Sequence, residues 1–361
     1  MKKVIIAALM LRFFFASFFY HPDIKSQYFH ASYLSAGIIN IYDFIHDNKQ
    51  RLPYTDTFNY PPLTYFILGA WYPVAQLVAG SGLHNWLIDW GPNSLSYQNL
   101  FLYLFILKLP YLFADFMVLK LLIKLFPDNN KISQYWLFNP VSIYAIYMIG
   151  QFDILPVLLT VGAFYYAKKE RILISALLLG LGGCMKTYPL LILPFILIRS
   201  QNIKTFFSSA FISLAAYVFP MLIFINSSPF VDSVFKSSLA NSLFMVKIFQ
   251  VPVFFIYYLA VFVYSLSRRK NFDLLAEFLA ITISPLIFSR FHPQWGLWSL
   301  PFLIILLIKK PKTWPILIVI MFYYFGFCFL IPDSYMLISL FAPLNFQVTT
   351  IPPISSFIPA L

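Results

Sequence analysis

The chain has 361 residues, 60% apolar and 20% aromatic, with 11% charged and a formal net charge of +12 at pH 7. Its mean hydropathy of +0.78 is more than a soluble domain of this length can bury. Apolar runs of about 20 residues, enough to cross ~30 Å of hydrocarbon, recur along it, and runs such as ILISALLLGLGG and FLIILLI lack the period-two alternation of an outer-membrane barrel. The composition therefore predicts an all-α, polytopic transmembrane protein.

The positive charge invites a nucleic-acid partner, but its distribution argues against one. Of 25 Lys and Arg, 13 lie in short clusters between apolar runs: Lys2–Lys3, Lys168–Arg171, Arg199–Lys204, Arg268–Lys270 and Lys309–Lys312. Such clusters mark cytoplasmic turns beside an anionic lipid surface.

In chain order, the first span is predicted over 3–20. The KK start resembles a signal peptide, but no small-residue cleavage pattern precedes His21, so an uncleaved helix is expected. The external loop 21–59 follows, holding Asp23, Asp43, Asp47 and Asp56, four of the 13 acidic residues. Ile24, Tyr28, Ala31 and Leu34 within it fall at helical spacing and suggest an interfacial helix ended by Gly37. Residues 60–79 and 97–126 flank a loop, 80–96, without Lys or Arg. Either Pro110 splits the second stretch into two passes or the Tyr60-Pro61-Pro62 segment is re-entrant.

Further on, 135–167 turns near Gly150–Asp153, and 172–198 is interrupted around Lys186–Pro189. A span at 205–225 leads to a second external loop, 226–246. Spans at 248–267, 274–289, 296–308 and 313–331 follow, and the tail 335–361 is apolar enough to re-enter. The expectation is about ten to thirteen membrane segments in one domain, 1–361. Short helices meeting at polar, Pro-containing breaks are tolerated at depth only when they line a cavity or pack inside protein. All of these breaks fall on the external side, which predicts a polar external cavity.

Several residues there could carry chemistry. Asp23, straight after the first span, reads as a general base with a pKa raised by nearby apolar bulk, or as a helix N-cap. Asn59-Tyr60-Pro61-Pro62 reads as helix-start chemistry that leaves Tyr60 beside the acidic loop. Gly150-Gln151-Phe152-Asp153 places an ionisable group at membrane depth, either for function or for an ion pair with Lys186. Lys186 in Lys186-Thr187-Tyr188-Pro189 and Arg290 in Ser289–Trp295 are cations on the side where cations are scarce, so each needs a carboxylate or a ligand phosphate. Trp295 and Trp298 could equally be interfacial anchors. Asp115 with Lys108 reads as a buried pair, and Asp273 with Glu277 as a solvated cytoplasmic face. Cys184 and Cys328 offer neither a disulfide framework nor metal spacing.

The order of these motifs resembles the GT-C superfamily of polyprenyl-phosphate-sugar-dependent glycosyltransferases. It is similar to the catalytic subunit of GPI mannosyltransferase I and to related prokaryotic multi-pass mannosyltransferases. The resemblance runs through Asp23, Gly37, Tyr42, Asn59–Leu63, Lys108–Asp115, Phe138–Pro140, Gly150–Asp153, Gly180–Leu181, Met185–Pro189, Pro293–Trp295 and Leu297–Trp298. It implies inverting transfer of a sugar, mannose first, from a polyprenyl or dolichyl phosphate to a lipid-linked or glycan acceptor on the external face. Asp23 would be the catalytic base, and Lys186, Arg290 and His292 would bind the donor phosphate. Tyr60, Gln151, Asp153, Tyr188, Gln294 and Trp295 would form the sugar and acceptor pocket. The GPI enzyme carries Asp-x-Asp where this chain has His21-Pro22-Asp23, so no metal or other cofactor is expected. Membrane lipids are the surroundings, in a prokaryotic plasma membrane or a eukaryotic ER membrane, and the need for an accessory subunit stays open.

Two other classes use similar features. A glycan polymerase or ligase shares an external site but takes lipid diphosphates. A lipid or solute transporter would use intramembrane charges as a pathway, but needs polar groups through the midplane and access from both sides.

Overall fold

The computed structural model describes residues 2–238, 241–268 and 273–357. Arg269 and Lys270 of one basic cluster, and the last four residues of the tail, lie outside the described residues. The chain is helical almost throughout; a two-residue hairpin, β1 (Lys247–Ile248) with β2 (Val251–Pro252), is its one sheet among the described residues.

The first half contains α1 (Lys2–Phe18), α2 (Pro22–Ser32), α3 (Ile41–Asn48), α4 (Pro62–Ala79), α5 (Gly82–Ile88), α6 (Leu100–Leu125), α7 (Lys131–Leu137) and α8 (Pro140–Ile143). The second half contains α9 (Ile154–Lys168), α10 (Ile172–Gly183), α11 (Leu193–Leu197), α12 (Ile203–Val218), α13 (Ser228–Val234), α14 (Val253–Ser267), α15 (Leu274–Phe288), α16 (Gly296–Lys309) and α17 (Trp314–Leu330). The expected breaks at 150–153, 186–189 and 290–295 all separate helices.

Among the described residues, Leu100–Leu125, Ile203–Phe224 and Pro311–Leu330 are long and apolar enough to cross a membrane. Six shorter apolar helices of 10–17 residues accompany them. Large apolar side chains face outward on these elements, among them Phe207, Phe211, Ile316 and Phe322, more than 60% exposed. Such a belt needs lipid to cover it, and it marks the chain as a membrane protein.

Pro110 does not split its segment, because α6 runs unbroken through it. Proline lacks the N–H that would bond the Ile106 carbonyl one turn back; Trp71 Nε1 donates to that carbonyl instead, at 3.0 Å. A neighbouring side chain thus satisfies the freed backbone group.

Between Lys3–Phe18 and Pro22–Ala36 the chain turns by 77°, so α2 lies across the end of α1. The expected apolar positions Ile24, Tyr28 and Ala31 are fully buried, and Gly37 closes the segment at φ +80°. The helix is buried on more than its apolar stripe. Lys25, Gln27, Phe29 and His30 are buried too, because α4 and α5 pack against it.

Two charge pairings differ from expectation. Asp115 does not pair with Lys108. Asp115 accepts from Arg12 Nε, Trp136 Nε1 and Tyr147 Oη, each at 2.6 Å. Lys108 Nζ instead donates to the carbonyls of Ala16, Phe19 and Tyr147 at 2.7–3.0 Å, tying the end of α1 to the segment after α8. Glu277 is not solvated but fully buried, held by Arg199 at 2.9 Å and by Ser265; Asp273 does face water, paired with Lys309 at 3.0 Å.

The tail 334–357 forms short 3₁₀ turns and no membrane-length helix. It docks on the end of α1, where Leu340 carbonyl accepts from Tyr20 N–H at 3.0 Å. A second apolar cluster (Ile41, Tyr42, Ile45, Phe58, Phe224, Phe230) binds the two predicted external loops to each other.

Candidate active site

The polar breaks converge at one end of the helices. After α8 the chain passes through a single π turn, Tyr144–Met148, a local distortion often found at functional sites. Gly150 follows at φ +78°, a backbone region open to glycine at little cost. This turn points Gln151 one way and Asp153 the other.

Gln151 Nε2 donates to the Asp23 carboxylate, and its Oε1 accepts from Gln27 Nε2 at 3.2 Å. Asp23 is not the N-cap of α2. His21 stands in that position, its Nδ1 3.1 Å from Asp23 N and accepting from that N–H when the ring is neutral, which leaves the Asp23 carboxylate free to face the cavity. The same ring sits between two acids: Nδ1 is 3.4 Å from Asp23 Oδ1 and Nε2 is 3.7 Å from Asp333 Oδ2. Burial pulls the His21 pKa down, but Asp23 and Asp333 outweigh it and push it up to about 9. Burial likewise opposes ionisation of Asp23, as the sequence suggested. His21, Gln151 and Lys186 prevail, so its pKa lies below, not above, the usual carboxylate range. A base that is already ionised suits proton abstraction at neutral pH.

Asp23 opens into a polar cavity of ≈ 340 Å³ bordered by Gln27, His30, Tyr54, Asp56, Asn59 and Tyr60. Asn59 and Tyr60 also wall a second cavity, ≈ 80 Å³, lined by Lys186, Tyr188, Trp295 and Trp298. Tyr60 therefore stands between the predicted base and the predicted donor site.

Behind the wall of the second cavity, fully buried and bordering neither cavity, Asp153 accepts at Oδ1 from Trp298 Nε1 at 2.7 Å, and its Oδ2 lies 3.4 Å from Lys186 Nζ. That Oδ2 is buried without a hydrogen bond, so the Lys186–Asp153 pair is loose. The ammonium rests over the rings of Tyr60 and Phe152 at 4.6 and 4.9 Å, a favourable cation–π setting that leaves its protons unspent. Tyr188 stacks on Trp298 at 4.1 Å, and Trp295 packs on Trp298 at 5.3 Å. Both tryptophans are 5% exposed; they are walls of the site and not interfacial anchors.

His292 packs on Trp295 at 4.6 Å. Burial, with Lys186 and Arg290 nearby, holds its pKa at about 4 against the pull of Asp23, so the ring is neutral until an anion arrives. Arg290 is exposed, and neither it nor His292 borders either cavity. Gln294 is buried in the turn before α16 but borders neither cavity.

Residues 132–289 match the model of glycosyltransferase family 87. The match covers less than half of the chain, including Gln151, Asp153, Lys186 and Tyr188, and supports glycosyl transfer as the chemistry. Family 87 is GT-C-like, in agreement with the resemblance read from the motifs. No curated protein and no solved structure matches the chain. Asp23, Tyr60, His292 and Trp298 lie outside the family 87 segment, and the fold alone brings them to it.

Sequence reasoning missed His21 as the partner of Asp23, Asp333 as the second acid on His21, and Trp298 as the partner of Asp153. His21 was legible as a polar neighbour of Asp23. Asp333 carried a weaker signal, a lone acid just beyond the last apolar span.

Proposed function

We propose that this protein is an inverting glycosyltransferase that moves a sugar, mannose by family likeness, from a polyprenyl or dolichyl phosphate to a hydroxyl of a lipid-linked or glycan acceptor. The observation that carries this is the pair of cavities sharing Tyr60, with an ionised base in one and a loosely held cation among aromatic rings in the other.

The chemistry follows from that division. Asp23 takes the proton of the acceptor hydroxyl, and the oxygen attacks the anomeric carbon from the face opposite the phosphate. The bond from that carbon to the phosphate oxygen breaks, and the phosphate departs as an anion, needing no general acid. Lys186 is freed from its loose partner to meet the charge, with Arg290 and the His292 ring, in the turn before α16, as further donors; cations aimed at developing negative charge are a large catalytic term. Tyr188, Trp295 and Trp298 offer stacked faces to the sugar.

A lipid-borne donor is supported by an apolar groove of ≈ 540 Å³ between α15, α16 and α17. Its lining includes Phe291, Gly296 and Ser299, next in sequence to His292, Trp295 and Trp298. The external orientation is supported by the basic clusters at the opposite ends of the same helices. Asp153 precedes α9 and Lys168 ends it; Arg171 precedes α10 and Lys186 follows it.

The test is sugar transfer by purified protein in nanodiscs, comparing radiolabelled polyprenyl-phosphate-mannose, -glucose and -arabinose with nucleotide sugars. Label reaching acceptor from a lipid phosphate alone is the expected result. Transfer from nucleotide sugars alone would refute the reading.

A further inference from the structure

Between the second external loop and α14 the chain forms a feature that the site does not use. The hairpin of β1 and β2 pairs Lys247 with Pro252 and Ile248 with Val251, so Phe249 and Gln250 alone make its turn. Both have positive φ, +47° and +68°. Two-residue turns of this kind favour Asn or Gly, and a bulky side chain there is an outlier. A backbone outlier that persists points to function. Here it holds the Phe249 ring at the tip, 96% exposed, with Met245, Val246, Ile248 and Val251 behind it each about half exposed.

Two features identify lipid as what covers this tip. It leads straight into α14, whose Phe255, Ile256, Leu259 and Val263 are half or more exposed, so the patch is continuous with the apolar belt that lipid covers. Its backbone then fixes its depth. A two-stranded hairpin leaves N–H and C=O groups unpaired along its edges, which hydrocarbon does not tolerate, and Lys247 and Gln250 are exposed among the apolar residues. The headgroup layer meets both demands: water and phosphates for the edges and for Lys247, upper acyl chains for Phe249 and Ile248. The same stretch reaches the donor side of the site. Ser242 and Leu243 wall the cavity lined by Lys186. Ser242 Oγ accepts from the Ser289 hydroxyl at 3.1 Å, and Phe244 stacks on Phe255 at 4.9 Å.

We propose that residues 245–252 are a membrane-docking hairpin, seated in the lipid headgroup layer on the site's side of the bilayer. Through Ser242–Phe244 it fixes the mouth of the donor cavity at the level where a lipid phosphate lies. The docking stands on the exposed apolar surface; the second half rests on the reading of a lipid-borne donor and names how that donor arrives. A substrate diffusing in the leaflet enters sideways from lipid, and Phe249 contributes to donor capture and not to the chemical step.

The experiment uses the whole protein in nanodiscs of phosphatidylcholine and phosphatidylglycerol. Cys184 and Cys328 are buried, so a thiol-reactive NBD probe is directed to Phe249→Cys or, for comparison, to Lys49→Cys, an exposed position just beyond α3. The probe at the hairpin tip is expected to be quenched by lipid spin-labelled near the top of the acyl chain, and to be shielded from aqueous iodide at least about threefold better than the comparison probe. Iodide quenching as strong as at the comparison position, with none by spin-labelled lipid, would overturn the docking and favour a protein partner for the tip. In the transfer assay, Phe249→Ser is expected to raise KM about fivefold for a full-length polyprenyl-phosphate sugar with kcat unchanged, and to leave KM for a short citronellyl-phosphate sugar as it was. A docked probe without that dependence on chain length would overturn donor capture alone. If lipid phosphate is released from no donor, the transfer reading and donor capture fall together, and the probe still decides the docking.

Discussion

The histidine between two carboxylates sets a pH dependence that can be worked out in advance. Its pKa rises from 6.5 to about 9, a preference for the charged ring on the order of 3 kcal/mol. Because the folded value is raised, this stabilisation is complete below pH 6.5 and is lost as the pH climbs through about 9. The charged ring offers Nδ1 to the Asp23 carboxylate, and the neutral ring turns the same nitrogen back to the Asp23 N–H. Turnover should therefore fall on the alkaline side near pH 9. Replacing Asp333 with Asn removes one of the two acids. Its side chain is 40% exposed, so solvent screens the pair, which is worth roughly 1 kcal/mol; the alkaline limb should move down by somewhat under one pH unit. The assay is a kcat/KM profile between pH 5 and 10 for wild type, Asp333→Asn and His21→Gln, the last of which should lack the limb. An alkaline limb unmoved by Asp333→Asn, or moved upward, would refute the coupling.

Lys186→Met keeps the packing against Tyr60 and Phe152 but removes the cation, and should slow turnover by about 10²-fold or more, measured as lipid-phosphate release under single turnover. Asp115→Asn leaves the buried Arg12 guanidinium without a counter-charge and should cost about 3–5 kcal/mol, read as a lowered thermal midpoint in nanodiscs; an unchanged midpoint would contradict the pairing. Gly180→Ala places a Cβ against the Ser213 backbone where α10 meets α12, and overpacking of this kind should cost about 1–3 kcal/mol in the same measurement, leaving the site residues untouched.

Much of the helix order was legible because membrane helices announce themselves as apolar runs, and the site motifs were the polar residues interrupting them. Gly150–Asp153, Lys186–Pro189 and Arg290–Trp295 were found that way, and Gly37 ends its segment as read. Long-range pairing was not legible. Nothing local in Arg12 predicts a partner 103 residues on, and the proximity of Asp115 to Lys108 in sequence suggested the wrong one. Pro110 misled because its missing N–H is compensated by Trp71 on another helix. The rise expected in the Asp23 pKa failed for a similar reason: apolar surroundings were visible in the sequence, but His21, Gln151 and Lys186 converge on the carboxylate only in the fold. The tail read as a re-entering span, since hydropathy cannot tell apolar residues that face lipid from those that cap a protein surface.

The measurement that bears most directly on the account is transfer from the polyprenyl-phosphate panel by wild type and Asp23→Asn side by side, with both proteins shown to melt alike. The account predicts label in the acceptor with wild type and at least a 10²-fold loss with Asp23→Asn, the scale expected for a general base. Equal transfer by the two would contradict it, removing Asp23 from the chemistry.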